Sequence, residues 1–254
     1  MWIDRTPERT HVNLWCLIPL LSLLASASTT SEFTAARIVD KEMDFCAVVL
    51  TVPAEYNRGF AILDVPSKTE GDDIRAHWDP AKHAFIINGG YFNADFSPTG
   101  FCRIDGKTIG KAKSEKLSGF VALDKSGAIS LLTRRDDLID YPTVVQSGPY
   151  VIDPGGKVGI ESRSGMRARR TLIGVTSDKD LIIVVTEPIF LLDLAYAIKK
   201  HLPAIERLLN LDGGPSTALV TGSRTVVNRW PVRNYLVKRR EVSDEPDSEK
   251  RHDD

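Results

Sequence analysis

The apolar runs of this chain are short, rich in β-branched residues and closed almost everywhere by turn formers. "FCAVVLT" (45–51), "RGFAILDV" (58–65), "AFIIN" (84–88), "GFVALD" (119–124) and "AISLLT" (128–133) have strand length and strand chemistry. So do "TLIGVT" (171–176), "LIIVVT" (181–186), "ALV" (218–220) and "TVVN" (225–228). Asp124-Lys125-Ser126-Gly127 and Ser177-Asp178-Lys179-Asp180 each join consecutive runs as hairpin links. One stretch carries the helical period instead: Leu191, Leu194, Ala195, Ile198 and Leu202 form a stripe, Lys199 and Lys200 lie off it, and Pro203 closes it. A second short helix over 203–209 is an open reading. The expected fold is α+β, a β-rich single domain with one or two packed helices. No repeat or regular β-α-β alternation is present.

The two ends differ from the middle. Arg5 and Arg9 precede the apolar run "VNLWCLIPLLSLLA" (12–25), and Ala25-Ser26-Ala27 follows. That order describes a secretory signal peptide over 1–27, removed on export. The run falls short of the ~20 residues of a spanning helix; an uncleaved anchor and a buried helix are the alternatives. The product is expected to be periplasmic or secreted, without stable membrane insertion after cleavage. Residues 28–237 then form the domain. The mixed-charge stretch "KRREVSDEPDSEKRHDD" (238–254) has too little apolar surface to offset its ordering entropy and reads as a disordered tail.

A formal net charge of −1 offers no basic field for nucleic acid. Of the three cysteines, Cys16 lies in the signal run. Cys46 and Cys102 either pair in an oxidising compartment or stay as buried thiols. No C-x-x-C supports a zinc site. No cofactor is expected, and the pattern leaves a divalent cation open.

Four stretches carry more chemistry than a scaffold needs. Asn88-Gly89-Gly90 ends an apolar run, where paired glycines allow close approach of backbone or ligand; a tight turn is the plain alternative. Gln146 and Ser147 are polar residues inside "VVQSGPYVI" (144–152) and need partners from the fold or from a ligand. Arg163, Arg167, Arg169 and Arg170 run into a strand, and an arginine at the head of a buried strand is a good anion partner. In "LLNLDGGPSTALV" (208–220), Asp212 emerges at a strand end beside two glycines and the hydroxyls of Ser216 and Thr217. That set makes a cradle for an anion or sugar beside a carboxylate. No nucleotide-binding P-loop and no G-x-S-x-G nucleophile turn occurs.

In their order, "NGGYF", "SPTGFCRIDGK", "QSGPYV", "RRTLIGV", "LAYAI" and "LNLDGGPST" resemble the phosphodiester glycosidase domain, over roughly residues 40 to 230. The resemblance implies an α+β fold and cleavage of a glycosidic bond to a phosphodiester, with a phosphate-linked carbohydrate as substrate. Carried onto this chain, it implies substrate or phosphate contacts from Asn88, Gly89, Gln146, Ser147, Gly148, Arg170, Thr171, Gly213, Gly214 and Ser216. Asp212 becomes the catalytic acid. Pro215 stands where the family commonly has Gly or Ser. Glycoside cleavage normally uses two carboxyl groups, but a phosphate leaving group needs little protonation, so one acid and an arginine suffice. Glu187 and Asp95 are the candidates for a second carboxylate. The rival expectation is a non-catalytic carbohydrate- or phosphate-binding module, which needs Arg170 and the loop but not Asp212. A third makes 85–107 and 208–220 mere turns of a structural domain.

Overall fold

The structure is a computed structural model that describes residues 32–67, 73–110, 113–134 and 136–241. The segment 1–27, expected to be a signal peptide, and residues 242–254 of the expected tail lie outside the described residues. Among the described residues, strands form three antiparallel sheets. The largest has the order β1 (Thr34–Asp40), β2 (Phe45–Val52), β13 (Leu181–Ile189), β12 (Ala168–Thr176), β14 (Ile205–Asn210), β10 (Tyr150–Asp153), β11 (Lys157–Val158). The second runs β16 (Thr225–Val226), β15 (Leu219–Thr221), β4 (His83–Asn88), β17 (Asn234–Arg239), β3 (Phe60–Asp64). The third runs β6 (Lys107–Gly110), β5 (Cys102–Ile104), β9 (Thr143–Ser147), β7 (Gly119–Leu123), β8 (Ile129–Thr133).

Side-chain alternation explains why the large sheet reads as continuous apolar runs. On β13, Ile183 and Val185 enter a core shared with residues of the other two sheets, among them Phe85, Ile87, Val121 and Val145. Ile182 and Val184 point the other way, onto Leu194, Ala195 and Ile198 of helix α1 (Leu191–His201). A sheet covered on both faces has no polar face to alternate with. The helix buries its predicted stripe and ends beside Pro203. Lys200 and then His201, in its last turn, bind Asp40 at 2.6 and 2.8 Å, and these contacts hold the Asp40 carboxyl well below the usual carboxylate range.

Both predicted hairpins form. Asp124 Oδ1 accepts the amides of Ser126 and Ala128 between β7 and β8, with Gly127 at φ +76°. Residues 177–180 join β12 to β13.

Three expectations need correction or resolution. Residues 203–209 are not a second helix, because the chain turns after Pro203 and enters β14 between β12 and β10. Leu208 and Leu209 fall on opposite faces of that strand, and both faces are covered. The domain also reaches two residues beyond 237, since β17 continues through Lys238, which is fully buried, to Arg239. Cys46 and Cys102 are both free thiols; Cys102 sits in the shared core, where burial pushes its thiol up to about 12.

Candidate active site

The ends of β4, β14 and the start of β15 meet at one place, alongside Arg170 and Thr171 of β12. Asn88, the last residue of β4, is fully buried and ties these segments together. Its Oδ1 accepts the Thr171 hydroxyl at 2.7 Å and the Ala218 amide at 2.9 Å. Its Nδ2 donates to the Asp212 carbonyl at 2.8 Å. The Asp212 amide donates to the Gly89 carbonyl at 3.2 Å, and Leu211 N donates to Thr171 O at 2.8 Å. The main chain at Asp212 is therefore held from both sides.

The two glycines that follow have different physical reasons. A Cβ on Gly213 would lie 2.8 Å from the Arg169 carbonyl, so only glycine lets the loop pass this close to β12. Gly214 has open space but a φ of +59°, which favours glycine. Pro215 fits the short 3-10 turn Gly214–Ser216, whose first residues need no free amide.

The turn folds back on the acid. Gly213 N–H donates to Asp212 Oδ1 at 2.8 Å, and the Ser216 hydroxyl also bonds the carboxylate. These bonds favour the charged form, but burial outweighs them and raises the Asp212 carboxyl to about 6. Asp212, Gly213, Pro215 and Ser216 form one wall of a cleft of about 530 Å³. A larger hollow of about 830 Å³, bounded by residues such as Lys113, Glu115 and Arg134, lies elsewhere and contains none of these groups. The smaller cleft is the one that holds a half-buried carboxyl with a raised pKa, the mark of a candidate site.

The arginines separate cleanly. Arg163 pairs with Asp193 at 2.9 Å, and Arg167 pairs with Asp44. Arg169 donates to the Val227 carbonyl at 3.4 Å. Arg170 donates to the Met166 carbonyl at 2.6 Å, but its buried Nε has no hydrogen-bond partner, and burial lowers its pKa. A guanidinium with a free buried donor has capacity for an oxyanion. Asn210 Oδ1 and Thr217 Oγ1, on the segments flanking Asp212, are likewise buried without a partner.

Tyr91 was missed by the sequence reading, although it stands in the same motif as Asn88. Its hydroxyl accepts from Asn210 Nδ2 and feels the charges of Asp212 and Arg170; burial first, then Asp212, pushes it above the ordinary tyrosine value.

Several residues expected to touch substrate make hydrogen bonds or close packing contacts within the fold. Asn88 and Thr171 bond each other and the loops, as described. Gln146 Oε1 accepts from Phe101 N and Ser114 N, while Nε2 donates to the carbonyls of Ser114 and Leu117. Ser147 donates to the Asn210 carbonyl at 2.8 Å, and Gly148 packs against Ser118. Gly89 lies against Asn234, whose side chain a Cβ would strike. These residues hold the site in place. Of the candidate second carboxylates, Glu187 is exposed on β13 and interacts with Arg169. Asp95 is exposed in the Asn93–Phe96 loop and accepts the Ser97 hydroxyl at 2.6 Å and amide at 2.9 Å. Among the described residues, no group of three His, Cys, Asp or Glu side chains is placed to hold a metal ion.

Three antiparallel sheets thus carry a candidate site with one half-buried acid near an arginine whose buried Nε has no partner. Residues 81–244 match the phosphodiester glycosidase family, and the chain belongs to that family. No curated protein sequence matches it. Among solved structures it is similar to the zebrafish N-acetylglucosamine-1-phosphodiester α-N-acetylglucosaminidase catalytic domain auto-inhibited by its pro-peptide. That match has a TM-score of 0.55 at 15% identity, over 83% of this chain and 82% of that one. It also resembles a hypothetical Synechocystis protein (TM-score 0.59, 15% identity, 81% of this chain and 61% of that one). A third likeness is to a Burkholderia pseudomallei K96243 protein named as exported (0.57, 12%, 76% and 73%). At these identities the likeness concerns the fold.

Proposed function

We propose that this protein is an exported hydrolase that cleaves the glycosidic bond between a sugar and a phosphodiester in an envelope or extracellular glycan. The observation that carries the reading is the Asp212 carboxyl, half-buried in the lining of an open cleft and raised to about 6. At neutral pH such a group is mostly ionised yet exchanges a proton readily, which suits general-base work. Water adds to the anomeric carbon, and the bond from that carbon to the phosphate oxygen breaks. The leaving group departs as a phosphate monoester, and the water proton passes to Asp212. The departing phosphate is a weak base, which removes the need for a second carboxyl to protonate it. Arg170 balances phosphate charge through its unpartnered Nε.

Membership of the family and the order of the N-terminal segment support this reading. A pure binding module would need Arg170 and the loop amides but gains nothing from a buried acid. The test is hydrolysis of a panel of sugar-1-phosphodiesters by the purified protein. The first compound to try is an N-acetylglucosamine-1-phosphodiester, the class named for the zebrafish enzyme. Release of free sugar together with a phosphate monoester supports the proposal. Binding without any release of sugar across the panel would favour the module.

A further inference from the structure

Besides Asp212 and its turn, the cleft is lined by Phe92, Ala94, Phe96, Trp230 and Pro231, and Trp230 is the most exposed large apolar residue among them. Trp230 is 65% exposed, yet its backbone is fixed. Asn228, itself buried, donates Nδ2 to the Trp230 carbonyl at 2.7 Å and accepts the Ile74 amide at 2.9 Å. Arg229 N donates to the Pro215 carbonyl at 2.7 Å, which ties the Trp230 segment directly to the turn after Asp212. On the other side, Arg233 forms a two-pronged pair with Asp64 and donates to the Phe96 carbonyl at 2.9 Å. Phe96 lines the same cleft and packs on Phe92 with ring centroids 4.9 Å apart. Both sides of the cleft are thus braced through Arg233 and Arg229.

Leaving a tryptophan in water on a rigid support forfeits the gain of burying it. The other large apolar side chains exposed among the described residues, Val39, Ile139, Met166 and Tyr196, do not line this cleft. The same cleft is lined by the polar groups of Asp212 and Ser216. A cleft lined by both aromatic and hydrogen-bonding groups suits a pyranose ring. Its axial C–H groups present an apolar face to an aromatic ring while its hydroxyls point away. A lipid chain would cover the Asp212 carboxylate without offering it a hydrogen bond.

We propose that Trp230 is the platform of the sugar subsite, a specificity-determining residue on which the pyranose ring stacks with its anomeric carbon toward Asp212. The placement rests on the hydrolase reading above, because it assigns the sugar rather than the phosphate to this side of Asp212. Stacking on a fixed indole sets affinity for the ring while contributing nothing to recognition of free phosphate.

The test is calorimetric titration of the full chain with hexose 1-phosphates and, separately, with inorganic phosphate. It compares the native protein, Trp230→Ala and Trp230→Phe, each also in an Asp212→Asn background that does not turn over. The expected result is that Trp230→Ala weakens hexose 1-phosphate binding about 5–10-fold, leaves inorganic phosphate binding unchanged, and melts at the native temperature. Trp230→Phe should retain affinity within about threefold, since a flat ring remains. Equal hexose 1-phosphate binding by the native protein and Trp230→Ala overturns the platform and leaves the hydrolase reading standing. Indole-dependent sugar binding without turnover of any phosphodiester keeps the platform and overturns the hydrolase. An equal loss for sugar phosphate and free phosphate overturns the platform, because the indole would then be shaping the whole cleft.

Discussion

Asn88 donates its side-chain amide to the Asp212 carbonyl at 2.8 Å, joining the end of β4 to the acid 124 residues away in sequence. Its carboxamide oxygen meanwhile accepts from Thr171 and Ala218. All four segments of the site depend on this one buried amide. Asn88→Ala would strand a hydroxyl, an amide and a carbonyl away from water. The expected cost is about 2–4 kcal/mol of stability, together with a fall in turnover as Asp212 loses its anchor. Urea denaturation and a single-substrate assay on the same variant check both effects.

Asp212 itself should lower the stability of the native protein at neutral pH. Its folded pKa of about 6 lies above the unfolded value of 3.8, so between these values the folded chain binds more protons. Stability from this group is therefore fully present below pH 3.8, falls as pH rises to about 6 and then levels. Asp212→Asn keeps the acceptor for Gly213 and Ser216 but removes the titration. The variant should gain up to about 3 kcal/mol over the native protein above pH 7, with the difference vanishing near pH 3.5. Denaturation curves at a series of pH values measure it.

Arg170 should dominate anion affinity, because Arg163 and Arg167 are already paired with Asp193 and Asp44. Arg170→Ala is expected to weaken sugar-phosphate binding by roughly 2–5 kcal/mol, while Arg163→Ala changes it little. Calorimetric titration separates the two. A folded Arg170→Ala that binds as tightly as the native protein removes this arginine from the phosphate site.

Much of the frame was legible because it rests on local chemistry. The β13 run, the α1 stripe and the Asp124–Gly127 turn each announce themselves within a few residues. The segment 203–209 misled because "IERLLN" is compatible with either period, and only its place between β12 and β10 decides for a strand. β1, β5, β6 and β17 carry weak apolar patterns and owe their form to pairing: β1 to the next strand and β6 to the strand before it, β5 and β17 also to strands distant in sequence. The site was legible as a set of positions but less so as roles. Asp212 and Arg170 stand where their motifs placed them, whereas Asn88, Gln146, Ser147 and Thr171 bond the fold. A polar residue at a strand end looks the same in sequence whether it meets a ligand or another loop. Tyr91 and Trp230 carry no pattern of their own, since an aromatic residue in a turn-rich segment more often packs than binds.

Export should leave a chain beginning near Ser28, following the Arg5 and Arg9 region, the apolar run and Ala25-Ser26-Ala27. N-terminal sequencing of protein recovered outside the cytoplasm checks this. An intact Met1 in the membrane fraction would favour an anchor.

The central claim is that Asp212 does chemistry, and one variant tests it most directly. Asp212→Asn preserves shape and the bonds to Gly213 and Ser216 but cannot carry charge or accept a proton. With a sugar-1-phosphodiester that the native protein hydrolyses, turnover should fall at least ~100-fold, while affinity for a hexose 1-phosphate stays within a few-fold of native. Turnover close to the native rate in a folded Asp212→Asn protein would contradict the account and leave the acid as a turn-forming residue.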